Sequence, residues 1–148
     1  MAKQLKHLGL RHLALLVNHF EACEHFYTGL LAMRVEWRPD QDNVYLTSGY
    51  DNLALHRAKQ PFQSIAGQTE NGRIQQTDSR LDHIGFIVET SELVDRWYDF
   101  LLSQRVKIHK KLKQHRDGAK SFYCFDPDSN IIQMIYHPPL SIHCKSYN

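Results

Sequence analysis

The chain has little of what several protein classes depend on. Its three cysteines are widely spaced and form no CxxC pair, which predicts reduced thiols in the cytoplasm. No apolar run exceeds strand length, so the sequence predicts neither a membrane span nor a signal peptide. The net charge is only +2, whereas a nucleic-acid-binding surface usually has a stronger and wider basic face. We therefore expect a cytoplasmic protein that binds neither nucleic acid nor membranes.

The remaining composition is that of an ordinary globular protein. The chain has 148 residues, of which 42% are hydrophobic and 23% charged, enough for one compact domain or two small modules that share a core. A local excess of positive charge lies at Arg105–Arg116. We interpret it as a solvated strand edge and loop, with attraction of an anionic substrate as the alternative.

An internal repeat is the strongest signal. Shifted by 71 residues, Leu10–Val35 lies without a gap on Leu81–Val106, and nine of the 26 positions are identical. One identical pair is His12 and His83. Such self-similarity indicates a duplicated structural unit. A fold with pseudo-two-fold symmetry would bring the two imidazoles near each other at its centre.

Each copy has the pattern of a strand, a helix and three further strands. In Leu10–Val17 the side chains alternate, and then the apolar spacing changes to three and four over about His19–Leu31, which predicts a helix. Later strand candidates are Met33–Trp37, Asn43–Thr47 and Asn52–His56, and in the second copy Arg105–Lys111, Lys120–Phe125 and Ile131–Tyr136. The sequence thus predicts an α+β fold of two βαβββ modules, related by a pseudo-two-fold, in a single domain over residues 1–148.

The modules, at about 8–56 and 81–137, are expected to enclose a shared cleft. If Leu13, Leu15 and Val17 pack on the helix, His12 points to the opposite face, and the same holds for His83. The helix residues Phe26 and Trp97 are predicted to be buried. The polar linker at 57–80 either covers the cleft or runs free of it, since a loop of this length is usually functional or mobile.

Two motifs give the chain a family resemblance. Residues 81–86 read LDHIGF, and residues 125–133 read FDPDSNIIQ. Together with the doubled unit they resemble the vicinal oxygen chelate superfamily, the fold of glyoxalase I, extradiol dioxygenases, fosfomycin-resistance enzymes and bleomycin-binding proteins. The resemblance covers about Leu10–His137. It is specific for the fold and weak for the reaction, because the superfamily hosts many chemistries.

The resemblance implies a metal site. The family's first-strand ligand positions fall on His12 and His83, and its last-strand positions fall on about Ala54, which cannot bind a metal, and on Gln133, where an acid is usual. His12, His83 and Gln133 together could hold zinc, iron, manganese or nickel. Their affinity would be lower than that of a site with a glutamate in place of Gln133. No organic cofactor is expected. The alternative is that the histidines line a metal-free pocket for an organic ligand.

Further candidate residues lie on the predicted strands. His56, two residues beyond Ala54, is either a catalytic base or an exposed histidine at a strand end. Strand alternation sends only one of Tyr123 and Cys124 into the cleft, and the sequence leaves open which one. Trp37 and Tyr123 are candidates for substrate binding.

One turn residue is unusual for the family. Ser129 occupies a position where glycine is common. If that turn requires a positive φ, the serine adds a strain of about 1 kcal/mol. This concerns stability and not chemistry.

The function implied by the resemblance is metal-assisted chemistry on a small oxygenated molecule, by a lyase, isomerase, transferase or dioxygenase. The alternative is a metal-free protein that binds or sequesters a small molecule, like the bleomycin-resistance members. The family commonly forms homodimers, and a homodimer is expected here.

Overall fold

A computed structural model describes residues 9–62, 69–70, 73–74 and 81–144. The chain divides into two compact units, Met1–Phe62 and Gln63–Asn148.

The first unit contains a four-stranded mixed sheet with a helix. In sheet order its strands are β1, β4, β3 and β2, and β1 runs parallel to β4 while the other pairs are antiparallel. The helix continues into one π-helical turn, Phe26–Leu30. The elements are β1 His12–Val17, α1 Phe20–His25, β2 Arg34–Asp40, β3 Asn43–Thr47 and β4 Asn52–Arg57.

The second unit repeats this order of strand, helix and three strands. Its sheet order is β7, β10, β9 and β8, again with only the first pair parallel. The elements are β7 Ile84–Ile87, α2 Ser91–Ser103, β8 Ile108–Gln114, β9 Lys120–Phe125, β10 Ile131–Tyr136 and a final helix α3 Pro138–Cys144. The predicted α+β fold of two βαβββ modules is confirmed.

Part of the predicted linker forms a short hairpin. Its strands are β5 Thr69–Glu70 and β6 Arg73–Ile74, which pair antiparallel. The expectation that the linker covers a cleft falls largely on residues 63–68, 71–72 and 75–80, which lie outside the described residues. Within the described residues, no helix is long and apolar enough to span a membrane.

The alternation predicted for the first strand is present. Leu15 and Val17 are buried, whereas His12, Ala14 and Leu16 are exposed. The buried row lies on the helix side of the sheet, as period-two alternation requires. The opposite side of this sheet, on which His12 lies, is called the first face below.

The 71-residue shift holds for the first strand and the start of the helix but not for the helix end. The helices end in residues with left-handed backbone, Ala32 and Arg105, both with φ 59°, and these are 73 residues apart. The first helix, including its π-helical turn, is two residues shorter than α2. The identities at the end of the ungapped alignment are therefore out of structural register by two residues.

The two burial predictions for the helices have different outcomes. Phe26 is buried, as predicted. Trp97 is only half-buried and contacts Phe100, which is exposed, so the prediction for Trp97 is wrong. The face of α2 that packs on the sheet contains Val94 and Leu101 instead, spaced seven residues apart as a single helical stripe requires.

The turn before β10 has the backbone conformation that glycine favours. Ser129 has φ 69°, and the buried carboxylate of Asp126 holds the turn by accepting hydrogen bonds from the backbone N–H groups of Asp128 and Asn130, both at 2.9 Å. We expect Ser129→Gly to raise the free energy of unfolding by about 0.5–1 kcal/mol, because glycine adopts this region without a Cβ penalty. Urea unfolding measures the change. The control Ser129→Ala keeps the Cβ and should give no gain, and an equal gain in both variants would contradict the strain argument.

Candidate functional site

His12 lies on the first face with its ring orientation set by a chain of hydrogen bonds. Its Nδ1 is 2.6 Å from Asn52 Oδ1, and Asn52 Nδ2 donates to Glu36 Oε2 at 2.5 Å. An amide oxygen only accepts, so Nδ1 is the protonated ring nitrogen. In the neutral ring the lone pair is then on Nε2. This imidazole is oriented as a ligand or a proton acceptor through Nε2.

His56 has a second hydrogen-bond chain of the same kind. Its Nδ1 lies 2.5 Å from Asn43 Oδ1, and Asn43 Nδ2 donates to the Asp40 carboxylate at 2.8 and 2.9 Å. The backbone N–H of Asp42 and the Asn43 amide hold the pKa of Asp40 below its ordinary value. Asp40 therefore stays ionised and fixes the amide, which in turn fixes the His56 tautomer with a free Nε2.

Tyr45 lies at the centre of the first face. Its ring centroid is 6.2 Å from that of His12, 5.0 Å from that of Trp37 and 5.9 Å from that of His56. The structure thus brings three predicted site residues together around one tyrosine. Trp37 is 57% exposed, so the aromatic surface is open to solvent on its outer side.

Ala54 occupies the position that the resemblance implied for a missing ligand. It is paired with Ala14 of β1 and Tyr45 of β3, and it is fully buried. A methyl group there offers no metal donor. The first face therefore offers the imidazole nitrogens of His12 and His56 as metal donors, but it has no donor at Ala54.

The corresponding side of the second sheet, called the second face, brings together His83, Tyr123 and Gln133. His83 directly precedes β7, and its Nδ1 is hydrogen-bonded to the Asp82 carboxylate. The ring centroids of His83 and Tyr123 are 5.4 Å apart. As at His12, an oxygen acceptor on Nδ1 orients the ring and directs Nε2 away from that acceptor.

Gln133 is buried, with 8% of its surface exposed. Its Nε2 donates to Tyr123 Oη at 2.8 Å, so the amide oxygen is directed elsewhere. Gly85 is its partner on β7, and a Cβ built on Gly85 would lie 3.6 Å from Gln133 Oε1. Because glycine has no side chain there, this oxygen can be approached across the glycine.

Tyr123, and not Cys124, lies on the second face. Cys124 is fully buried on the helix side, where burial and then the Asp126 charge raise the pKa of its thiol to about 12. Such a thiol is not a nucleophile near neutral pH. Burial, followed by the Asp82 charge, also raises the pKa of Tyr123. The Tyr123 hydroxyl therefore stays protonated and, having accepted from Gln133, can donate its own proton.

From the sequence Tyr45 is only one of several aromatic residues that could line a ligand surface, and its central position on the first face was not predicted. It pairs with Ala54 on β4 as Tyr123 pairs with Gln133 on β10, so the two tyrosines occupy equivalent positions in their modules. The signal was present in the sequence: once the last strands are aligned on Ala54 and Gln133, pairing of the preceding strands places the tyrosines opposite them.

No three His, Cys, Asp or Glu side chains form a group that could hold a metal ion within the part of the chain that is described. The described residues offer an imidazole with an amide oxygen on the second face and imidazoles on the first. These are neutral nitrogen and oxygen donors, which zinc, iron, manganese and nickel accept. The set fits such ions, and it has less negative charge than a set with a glutamate at Gln133.

We expect Tyr123→Phe to lower the free energy of unfolding by about 1–2 kcal/mol, because it leaves the buried amide of Gln133 without its acceptor. Tyr45→Phe at the equivalent position is the matched control, since its hydroxyl makes no hydrogen bond to any described residue. Thermal and urea unfolding compare the two variants. Equal losses at both positions would show that the Gln133 contact contributes nothing.

These features are those of a known structural class. The model of the Glyoxalase/Bleomycin resistance protein/Dioxygenase superfamily matches residues 9–134. The chain therefore belongs to this superfamily, which confirms the resemblance found in the sequence. No curated protein sequence matches the chain.

Several solved structures are similar to this one. A lactoylglutathione lyase from Agrobacterium tumefaciens has a TM-score of 0.66 and 19% identity. The match covers 87% of this chain and 93% of the lyase chain. An integron cassette protein from the mobile metagenome of Halifax Harbour sewage outfall has a TM-score of 0.64 and 25% identity, covering 88% and 99%. The fosfomycin resistance protein FosX from Mesorhizobium loti has a TM-score of 0.65 and 13% identity, covering 93% and 99%. For the lyase and FosX the likeness shows the fold alone.

Proposed function

We propose that the protein is an enzyme that transforms a small oxygenated molecule with the help of a divalent metal ion. The observation that supports this best is the state of the two repeated histidines. His12 and His83 each have Nδ1 held by an oxygen acceptor, Asn52 and Asp82 respectively. Metal-binding histidines almost always have such a partner, which fixes the tautomer and leaves Nε2 for the ion.

The proposed ligands are His12, His83 and Gln133. The assignment of His12 to the same ion as the second-face residues comes from the family resemblance. The amide oxygen of Gln133 supplies a dipole and no charge, so the affinity should be modest. Zinc, iron, manganese and nickel fit this donor set, and no organic cofactor is proposed.

The bound ion would act as a Lewis acid on oxygens of the substrate. Side chains of the protein supply a hydrogen bond to the substrate and an acceptor for a proton. Tyr123 donates a hydrogen bond to a substrate oxygen on the second face. His56, with its Nδ1 held by Asn43, accepts a proton through Nε2. Gln133 has no useful proton affinity, so it cannot serve as the base that a glutamate there would provide.

The reaction class is proposed as lyase, isomerase, transferase or dioxygenase. The similar structures include a lactoylglutathione lyase and a fosfomycin resistance protein. The lack of an acid at Gln133 disfavours reactions in which a metal-ligating carboxylate removes a proton. The protein is further proposed to act as a cytoplasmic homodimer in a single domain, without nucleic-acid or membrane partners.

A metal-free small-molecule-binding protein is the second candidate. Trp37 and Tyr45 favour it, because their rings lie 5.0 Å apart and the tryptophan is 57% exposed. Such a surface suits a flat organic ligand. In that function His12 and His83 would line the binding surface without an ion.

Metal analysis of protein purified without an affinity tag decides between the two candidates. We expect zinc, iron, manganese or nickel to co-purify in wild type and to be reduced by at least about tenfold in His83→Ala, which removes an imidazole ligand. His115→Ala is the control, because its Nε2 is 3.1 Å from Ser121 Oγ and the residue has no proposed metal role. Equal metal content in all three proteins, or none in wild type, would favour the metal-free binding protein.

A further inference from the structure

A β-bulge in the edge strand β8 changes which side chains reach the second face. Ile108 pairs with Cys124, but Lys110 pairs with Tyr123, so two residues of β8 stand against one of β9. Regular alternation would send His109 and Lys110 to opposite sides of the sheet. Both instead contact Tyr123. Bulges re-aim side chains in this way and are frequent beside active sites.

The bulge places positive charge over the aromatic rings of the second face. Lys110 Nζ lies 4.9 Å from the centroid of the Tyr123 ring, and Lys107 Nζ lies 5.6 Å from that of Phe125. His109 lies between them, with ring centroids 4.9 Å from Phe125 and 6.5 Å from Tyr123. Both lysines are exposed, so their ammonium groups remain open to a ligand.

The first unit has the same bulge with different chemistry. Val35 pairs with Leu46 and Trp37 with Tyr45, so Glu36 and Trp37 occupy the places of His109 and Lys110. There the acid is used within the protein, since Glu36 accepts from Asn52 at 2.5 Å. Lys110 makes no ion pair with a described residue. The basic version of the bulge therefore has a charge that no ion pair with a described residue neutralises.

We propose that Lys107, His109 and Lys110 form an oxyanion subsite that binds a phosphate or carboxylate group of the substrate beside Tyr123. This inference deepens the proposed function by naming the charge of the substrate, and it rests on that function only for the reaction. The subsite lies on the same face as His83 and Gln133. A substrate could thus place its anionic group over the bulge while its reacting oxygens lie nearer Gln133. Within the basic stretch Arg105–Arg116, the residues with a binding role are then Lys107, His109 and Lys110.

The burial of His109 gives an independent signal. Burial and then the Lys110 charge lower the pKa of His109, while the Asp82 carboxylate acts in the opposite direction. Two further titratable groups face these rings, Lys107 over Phe125 and His83 against Tyr123. An oxyanion bound by Lys110 would offset the positive charge, so the pKa of His109 should rise when the subsite is filled.

The test is a titration of the full chain with inorganic phosphate, at low ionic strength and after passage over a chelating resin. We expect saturable amide shifts in NMR spectra at Lys110 and Tyr123, with a Kd of about 1–10 mM, and a rise in the His109 pKa. Lys110→Met should weaken binding by about fivefold or more, the effect of losing one partly solvated charge contact. The matched control is Lys111→Met, which removes the same charge from the next residue, one that contacts no ring among those described. It should change the Kd by less than about twofold.

A parallel titration with acetate shows whether the subsite binds carboxylates as well as phosphate. Binding of phosphate alone points to a phosphate-bearing substrate, and binding of both anions extends the subsite to carboxylates. Absence of saturable shifts with either anion, or equal weakening by Lys110→Met and Lys111→Met, would overturn the subsite. Because the protein is free of metal, these outcomes are separate from the metal analysis of wild type and His83→Ala, which tests the proposed function.

Discussion

Phe122→Ala is expected to lower the free energy of unfolding by about 3–5 kcal/mol, the range for truncating a large aromatic residue in a core. Phe122 is fully buried on β9, and its ring centroid lies 5.1 Å from that of Tyr98 on α2. The substitution removes this contact between helix and sheet and leaves a cavity that the surrounding backbone only partly fills. Urea unfolding followed by circular dichroism measures the loss.

Trp97→Ala is the companion variant, because it tests which face of α2 packs on the sheet. Trp97 is half-buried and contacts Phe100, itself 39% exposed. Its truncation should cost about 1–2 kcal/mol, since much of its apolar surface already meets water. If Trp97→Ala costs as much as Phe122→Ala, Trp97 is a core residue, contrary to its half-buried position on α2.

The repeat was sufficient to predict the architecture. In β1 the apolar row at Leu15 and Val17 alternates with His12 and Ala14, and this period is visible without any tertiary information. The change to helical spacing after Val17 and its recurrence in the second copy predict the order of elements. The order of strands within each sheet was not predicted and is seen only in the strand pairing.

The helix faces and ends were less predictable. On α2 one apolar stripe contains Val94 and Leu101 and an adjoining one contains Trp97 and Phe100. Periodicity does not separate two neighbouring stripes, so the sequence did not show that Trp97 lies on the less buried one. The apolar spacing likewise does not predict the π-helical turn at Phe26–Leu30. It also does not predict the two-residue difference between the helix ends.

His12 and His83 could be found from the repeat, and His56 from its position two residues beyond Ala54, but the hydrogen-bond partners of His12 and His56 could not be predicted. His12 and Asn52 are 40 residues apart, and His56 and Asn43 are 13 apart; each pair meets only through strand pairing. The bulge in β8 is a second example. Alternation read from the sequence places His109 and Lys110 on opposite faces, and only the pairing with β9 shows them on one.

Gln133→Glu is expected to strengthen divalent-metal binding by about tenfold, equivalent to roughly 1–2 kcal/mol. The change adds one negative charge at nearly constant shape on the face that contains His83. The contact with Tyr123, now 2.8 Å from the amide nitrogen, can persist with the tyrosine as donor. Calorimetric titration of metal-free protein with zinc or manganese compares the variant with wild type.

Two further variants make the result specific to the proposed ligands. Gln133→Met preserves the length of the side chain but removes the oxygen, so it should bind metal more weakly than wild type. Adding His12→Ala or His83→Ala to Gln133→Glu should abolish the gain, because a carboxylate alone does not make a site. A gain that survives His12→Ala but not His83→Ala would restrict the metal site to the second module. If Gln133→Glu binds no more metal than wild type and neither protein binds detectably, the chain is a metal-free binding protein.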